Sequence, residues 1–207
     1  MRKIVLDDIL SLAAYEKGRQ DFRQRIIELK QKRRVSLGDR ASLVFENRDT
    51  VIFQIQEMLR VERITDLDKI REEIATYNQL IPEPGELSAT LFLEIENQTH
   101  LRGELLKFLG IEEAIRFHVG RHSVPIRFEA GRSKEDKMSA VQYLRFHFDD
   151  QALQRFVRGE TSELVIDHRN YKAAVVLQLE TQRSLAEDLT GSMSSARNTP
   201  ETPNESK

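Results

Sequence analysis

The stretch Ala89-Thr90-Leu91-Phe92-Leu93-Glu94-Ile95 places Ala89, Leu91, Leu93 and Ile95 on one side of an extended chain and Thr90, Phe92 and Glu94 on the other. The same period of two recurs downstream at Ile115-Phe117-Val119, at Ile126-Phe128 and at Leu144-Phe146-Phe148. Leu164-Val165-Ile166 and Ala173 to Leu179 read as further strands. Helices are predicted between them: from about Gln98 to Leu109 with Gly110 as its stop, from Asp149 or Asp150 to Arg158 with Gly159 as its stop, and from Glu180 to Leu189.

Upstream of Ala89 the pattern is helical. Asp7 or Asp8 caps a short turn through Leu12, and Tyr15 to about Arg34 carries Phe22, Ile26 and Leu29 at helical spacing. Val35 to Glu46 alternates loosely around Leu37-Gly38-Asp39-Arg40 and predicts a hairpin. Asn47 is an N-cap for a helix to about Arg63, and Thr65 or Asp66 caps another to about Leu80, ended by Pro82 and Pro84-Gly85. Strands and helices do not alternate regularly. The expected fold is therefore α+β rather than doubly wound: a helical N-terminal part with a hairpin, then a mainly antiparallel sheet with flanking helices. One domain is expected over residues 1–190, mainly helical over 1–82 and strand-rich over 86–180. Residues 191–207 hold four serines, two threonines, two prolines and two asparagines, with no aromatic and no Val, Ile or Leu. Such a segment buries too little apolar surface to offset its ordering entropy, so a disordered tail is expected there.

Composition removes several chemistries. The 207 residues include no cysteine, so there is no disulfide framework, thiol nucleophile, zinc–thiolate site or cysteine-ligated iron–sulfur cluster. A formal charge of -2 exerts no global pull on nucleic acid or acidic lipid. The longest apolar run, Ala173 to Leu177, is far short of a membrane span, and the opening residues meet Asp7 too soon for a signal-peptide core. A cytoplasmic location without membrane attachment is expected. Charge is nonetheless uneven. Tyr15 to Arg40 holds nine Lys/Arg against four Asp/Glu, and Glu62 to Glu96 holds three against nine. Arg19, Arg23, Lys30 and Arg34 resemble a groove-reading helix, but Glu16, Asp21 and Glu28 interrupt them and no binding motif frames them, which argues against nucleic acid.

Two blocks make the sequence recognisable: Phe45-Glu46-Asn47-Arg48-Asp49-Thr50 and Gln54-Ile55-Gln56-Glu57-Met58-Leu59-Arg60. The opening Leu6-Asp7-Asp8-Ile9-Leu10, Tyr77-Asn78 through Ile81-Pro82, Lys137 through Phe146, and Asp167-His168 with Tyr171 extend the likeness over most of residues 1–180. The chain resembles a bacterial family known as a domain of unknown function, number three thousand five hundred and one. Arg169 departs from the proline expected after the Asp-His pair. The resemblance implies genes encoded beside rubrerythrin and an iron–sulfur oxidoreductase similar to heterodisulfide reductase or glycerol-phosphate dehydrogenase subunits. It therefore implies those redox proteins as partners, in peroxide defence or anaerobic electron transfer. It implies no reaction and no cofactor.

Four constellations are candidates for binding a ligand or partner. On the Asn47–Arg63 helix, Gln56, Glu57, Arg60 and Arg63 share one face with Phe53, opposite Val51, Ile52, Ile55, Met58 and Leu59. With Arg48 this arc reads either as a partner-facing surface or as a second packing layer in which Glu57 pairs with Arg60. Arg116, His118 and His122 point to one side of one strand, and Tyr143, Arg145 and His147 to one side of another. Were the two strands neighbours, His118, His122 and His147 would be a metal set, although the arginines suit an anion better and a solvated face is the plain alternative. Asp167 and His168 point to opposite faces on a strand and can meet only in a turn. Arg145, Lys137, Asp167 and His168 converging on an anionic ligand is one reading, and the basic helix docking an acidic partner is another. No Glu-x-x-His occurs, so the di-iron helix motif is absent, and there is no phosphate loop or nucleophile elbow. The leading reading is an accessory or interaction protein in a redox or peroxide-stress system, and the alternative is an enzyme or binder that recognises an anionic small molecule. Nothing in the sequence opposes a homo-oligomer.

Overall fold

The computed structural model describes residues 1–95, 100–128 and 139–196, with side chains described as far as 191. Nine strands and seven α-helices run in the order α1 (Leu12–Arg33), β1 (Arg34–Leu37), β2 (Ala41–Glu46), α2 (Arg48–Val61), α3 (Leu67–Tyr77), β3 (Glu86–Leu93), α4 (Leu101–Leu106), α5 (Ile111–Ala114), β4 (Ile115–Val119), β5 (His122–Val124), β6 (Ile126–Phe128), β7 (Val141–His147), α6 (Asp150–Val157), β8 (Ser162–His168), β9 (Tyr171–Val176) and α7 (Leu179–Ala196) among the described residues. The fold is α+β, as expected.

The caps explain the helix starts. Asn47 Oδ1 accepts from the Thr50 amide at 3.1 Å while Thr50 Oγ1 accepts from the Asn47 amide at 3.0 Å, a reciprocal cap that opens α2. Asp66 caps α3 by accepting from the Asp68 and Lys69 amides, and Asp149 caps α6 by accepting from the Ala152 amide. Gly38 takes φ +72° in the β1–β2 turn, and a Cβ there would collide with the Tyr171 hydroxyl.

All strand pairings are antiparallel. The first sheet has the order β1-β2-β3-β7-β6 and the second β5-β4-β8-β9. The expected hairpin is not an appendage of the helical part, because its strands form one side of the sheet that β3 and β7 complete. The two sheets face each other across Leu43, Phe45, Leu91, Leu144, Phe117, Leu164 and Ile166, all buried. Phe117 makes edge contacts with Phe146, Phe148 and Phe156. At one side the chain passes from β5 to β6 through the single residue Pro125 and so crosses from one sheet to the other. At the opposite side β1 lies beside β9, where the Tyr171 hydroxyl donates to the Leu37 carbonyl and accepts from the Arg40 amide.

The helices α2 and α3 cover the other face of the first sheet. Ile4, Val51, Ile55, Leu59, Ile74, Leu80 and Ile81 make a second core there, with Tyr143 of β7 against it. Between the two cores lies a buried polar layer of Ser42, Glu46, Ser88 and Thr90. Glu46 accepts from Thr50 Oγ1 at 2.5 Å, Thr90 Oγ1 at 2.7 Å and Gln54 Nε2 at 3.0 Å, so its oxygens are satisfied without water.

The structure places several of the residues read from the sequence. His118 on β4 and His122 on β5 belong to the second sheet and His147 on β7 to the first, so the strands that carry them are not the neighbours that a shared histidine face requires. No group of three or more His, Asp or Glu side chains able to hold a metal occurs among the described residues. The last helix, expected to end at Leu189, runs to Ala196. Lys137, the predicted helix start at Gln98 and residues 197–207 lie outside the described residues. No helix among the described residues is long and apolar enough to cross a membrane.

Candidate functional site

The recognisable residues of α2 are engaged inside the fold. Gln56 is buried, and its carboxamide accepts from the Leu10 amide at 2.7 Å and donates to the Leu10 carbonyl at 3.3 Å. Glu57 accepts two hydrogen bonds from Arg19, at 2.7 and 2.8 Å, and one from the Tyr15 hydroxyl at 2.7 Å. The Arg19 bonds chiefly hold the Glu57 carboxyl at about 2, against the ordinary 4.5, with burial opposing and Tyr15 assisting. Burial and the Glu57 bond push the Tyr15 hydroxyl up. Arg60 pairs with Glu16 at 3.2 Å, so the i,i+3 partnership of Glu57 and Arg60 gives way to two pairs that cross to α1. Phe53 stacks edge-on against Phe22, 5.6 Å between centroids. Arg48 pairs with Asp8 at 2.7 Å. The Asp8 carboxyl is opposed by burial but held well below its usual range by Arg2, the Val5 amide and Arg48 together.

Asp167 and His168 also serve the fold. Asp167 is exposed and pairs with Lys172 at 2.6 Å, which chiefly holds its carboxyl below the usual range. His168 is buried on the opposite face of β8. Its Nδ1 accepts from the Asn170 amide at 3.3 Å, so Nε2 carries the proton it donates to the Leu109 carbonyl at 2.9 Å. His168 and Asp167 border a cleft of about 490 Å³ with Arg116, Arg169 and Gly110. His118 stands opposite Glu163 in the β4–β8 ladder, and His122 Nε2 lies 3.0 Å from Asp149 Oδ2.

Arg145 lies elsewhere, in the first sheet, and borders a second cleft of about 700 Å³ with Lys3, Asn78, Gln79, Arg127 and Phe128. Arg145 and Arg127 are direct cross-strand partners on β7 and β6. Like charges in that position repel unless something lies between them. Glu86, itself opposite His147 in the β3–β7 ladder, partly fills that place: it is 3.1 Å from Arg145, 3.9 Å from Arg127 and 3.8 Å from His147 Nδ1. Arg145 also donates to the carbonyls of Gln79 and Ile81, which fastens the α3–β3 connection to the sheet. Lys3 pairs with Glu83 at 2.7 Å, and that bond chiefly draws the Glu83 carboxyl down against the effect of burial. Arg127 is 75% exposed, with Glu86 3.9 Å away.

Of the residues singled out in the sequence, the cleft therefore contains Arg145, Asn78 and Gln79, while Asp167 and His168 lie on the other sheet. Glu86, Arg127 and Lys3 were not foreseen. Their signal is one of register, because only the pairings Arg127–Arg145 and Glu86–His147 put these charges together.

Comparison with known proteins adds a family and a fold. Residues 3–189 match the family described as "Protein of unknown function (DUF3501)". A crystal structure described as a novel protein of unknown function from Burkholderia pseudomallei K96243 is 34% identical, with a TM-score of 0.86, and the match covers 91% of this chain and 100% of that one. No curated protein matches the chain.

Proposed function

The chain belongs to the DUF3501 family of proteins of unknown function, and from that premise we propose that it is an accessory binding protein that captures an anionic small molecule at the Lys3–Arg127–Arg145 cleft. The observation that carries this reading is the exposed Arg127 set directly opposite Arg145 at a cleft that Lys3 also lines. An incoming carboxylate or phosphate gains charge-assisted hydrogen bonds from an arginine fork. Isothermal titration with inorganic phosphate and with citrate tests it. Binding that falls at least tenfold in Arg127→Glu supports the reading, and wild-type protein that binds neither anion overturns it.

A second reading keeps the surface and changes the ligand. Arg127 and His147 are 75% and 60% exposed at the rim, open to an acidic segment of a larger molecule. The family resemblance suggests rubrerythrin or the iron–sulfur oxidoreductase for that role, in a peroxide-stress or anaerobic redox system. Capture from native extract under reducing, anaerobic conditions separates the readings. Recovery of either redox protein by wild type but not by Arg127→Glu favours the partner, and recovery of neither by wild type removes it.

A further inference from the structure

The cleft of about 490 Å³ beside Asp167 and His168 belongs to the second sheet, whereas Arg127 and Arg145 belong to the first. One wall comes from the α5 segment, with Leu109, Glu113 and Ala114, and the other from the β8–β9 turn at His168 and Arg169, with Arg116 of β4 beside them. The first wall is fastened to the sheet. His168 Nε2 donates to the Leu109 carbonyl at 2.9 Å, and Arg116 Nη1 donates to the carbonyls of Glu113 at 2.5 Å and Ile115 at 2.8 Å. Carbonyls at a helix end lack an intrahelical partner, and Arg116 supplies one to Glu113. The cleft is thus shaped before any ligand arrives, which lowers the ordering cost of binding.

Two features of its lining point to a ligand. Among the described residues Arg116 bonds through Nη1 alone, so its Nε and Nη2 edge keeps the fork geometry that grips a carboxylate with two parallel bonds. The Glu113 and Arg169 side chains carry opposite charges and line the same cleft, yet neither makes a hydrogen bond or ion pair with the other or with anything else among the described residues. Asp167, by contrast, is paired with Lys172 at 2.6 Å. We propose that this cleft binds a free α-amino acid with an apolar side chain. Its carboxylate meets Arg116 and Arg169, its ammonium meets Glu113, and its side chain lies against Leu109, which is 41% exposed. A ligand with a single charge leaves one of the two open charges facing its like, whereas a zwitterion answers both. The site is independent of the Lys3–Arg127–Arg145 cleft.

Titration of the full chain with L-leucine, followed by amide chemical shifts, reads the site directly. Saturable shifts are expected around Glu113 and Arg116 and around Arg169. Isocaproate, which is leucine without the ammonium, and isoamylamine, which is leucine without the carboxylate, are each expected to bind about tenfold more weakly. Glu113→Gln and Arg169→Gln change side chains that hold no other part of the fold among the described residues. Each is expected to weaken leucine binding about tenfold, and Glu113→Gln to erase the advantage of leucine over isocaproate. Leucine that gives no saturable shift in this cleft overturns the proposal. Isocaproate that binds as tightly as leucine also overturns it, because the cleft is then a simple anion site, and so does leucine affinity unchanged in Glu113→Gln.

Discussion

Arg33 reaches Asp188 through the interior of the protein. The guanidinium, 1% exposed, sits where the end of α1, the end of β2 and the middle of α7 converge, and Asp188 is its ion-pair partner. Its remaining donors are used on Phe45 O at 2.9 Å, Glu46 O at 3.2 Å and Ser184 Oγ at 3.2 Å. Burial pushes the Asp188 carboxyl up, while Arg33 and Asn47 draw it back down.

Removing the carboxylate leaves that guanidinium buried with its charge uncompensated. Asp188→Ala is therefore expected to cost about 3–5 kcal/mol. Denaturant unfolding checks the value, and a loss below about 1 kcal/mol would show that water reaches Arg33.

Glu57 makes stability depend on pH. Its folded-state value, about 2 against the ordinary 4.5, means that folding favours the ionised form. The contribution is complete above 4.5 and is lost as pH falls toward 2. It is on the order of 2 kcal/mol after allowance for solvent screening. Urea midpoints measured from pH 5 to pH 2 should fall less steeply in Glu57→Gln than in wild type. Parallel curves would locate the acid sensitivity elsewhere.

Gly38→Ala meets two obstacles, a φ of +72° and the Tyr171 hydroxyl in the space a Cβ needs. A loss of about 2 kcal/mol is expected. The double variant with Tyr171→Phe should lose less than the two single losses added together, because both changes affect one contact. Additive losses in thermal unfolding would mean that backbone strain alone is responsible.

Arg63 is the one non-glycine residue at positive φ among the described residues, at 52°, where the Ile64 amide turns back to the Leu59 carbonyl at the end of α2. Glycine is the residue that such a helix end favours. Arg63→Gly should stabilise by about 1 kcal/mol, read as a raised melting temperature. An unchanged or lower value would show that the Arg63 side chain earns its place through contacts.

Much of the fold was legible locally. The alternation at Leu91 and Leu93, at Phe117 and at Leu144 and Phe146 marks strands, and Asn47, Asp66 and Asp149 mark helix starts. Which strands are neighbours is a long-range property, and no local period carries it. The partition of β4 and β7 into separate sheets therefore had to be observed. The burial of Ser42, Glu46, Ser88 and Thr90 is likewise not carried by alternation, which cannot tell water from a covering layer of helices. Arg33 is hidden for a similar reason. It lies in the run Lys32-Arg33-Arg34, and only the positions of β2 and α7 distinguish it from its exposed neighbours. In the candidate site Arg145 was legible as the polar side of a strand, whereas Arg127 and Glu86 acquired meaning from the registers that set them beside it.

The passage through Pro125 and the Tyr171 seam have a bearing on solubility. A sheet normally ends in strands whose unpaired amides and carbonyls invite a second chain, the usual starting point for fibrils and swapped dimers. Here β6 is the continuation of β5, and β1 lies against β9, so each sheet's outermost strands are tied to the other sheet. Proline at the crossing also removes a donor where one would be exposed. The geometry that closes the sandwich thus ties both ends of each sheet to the facing one, which disfavours templating by a second chain.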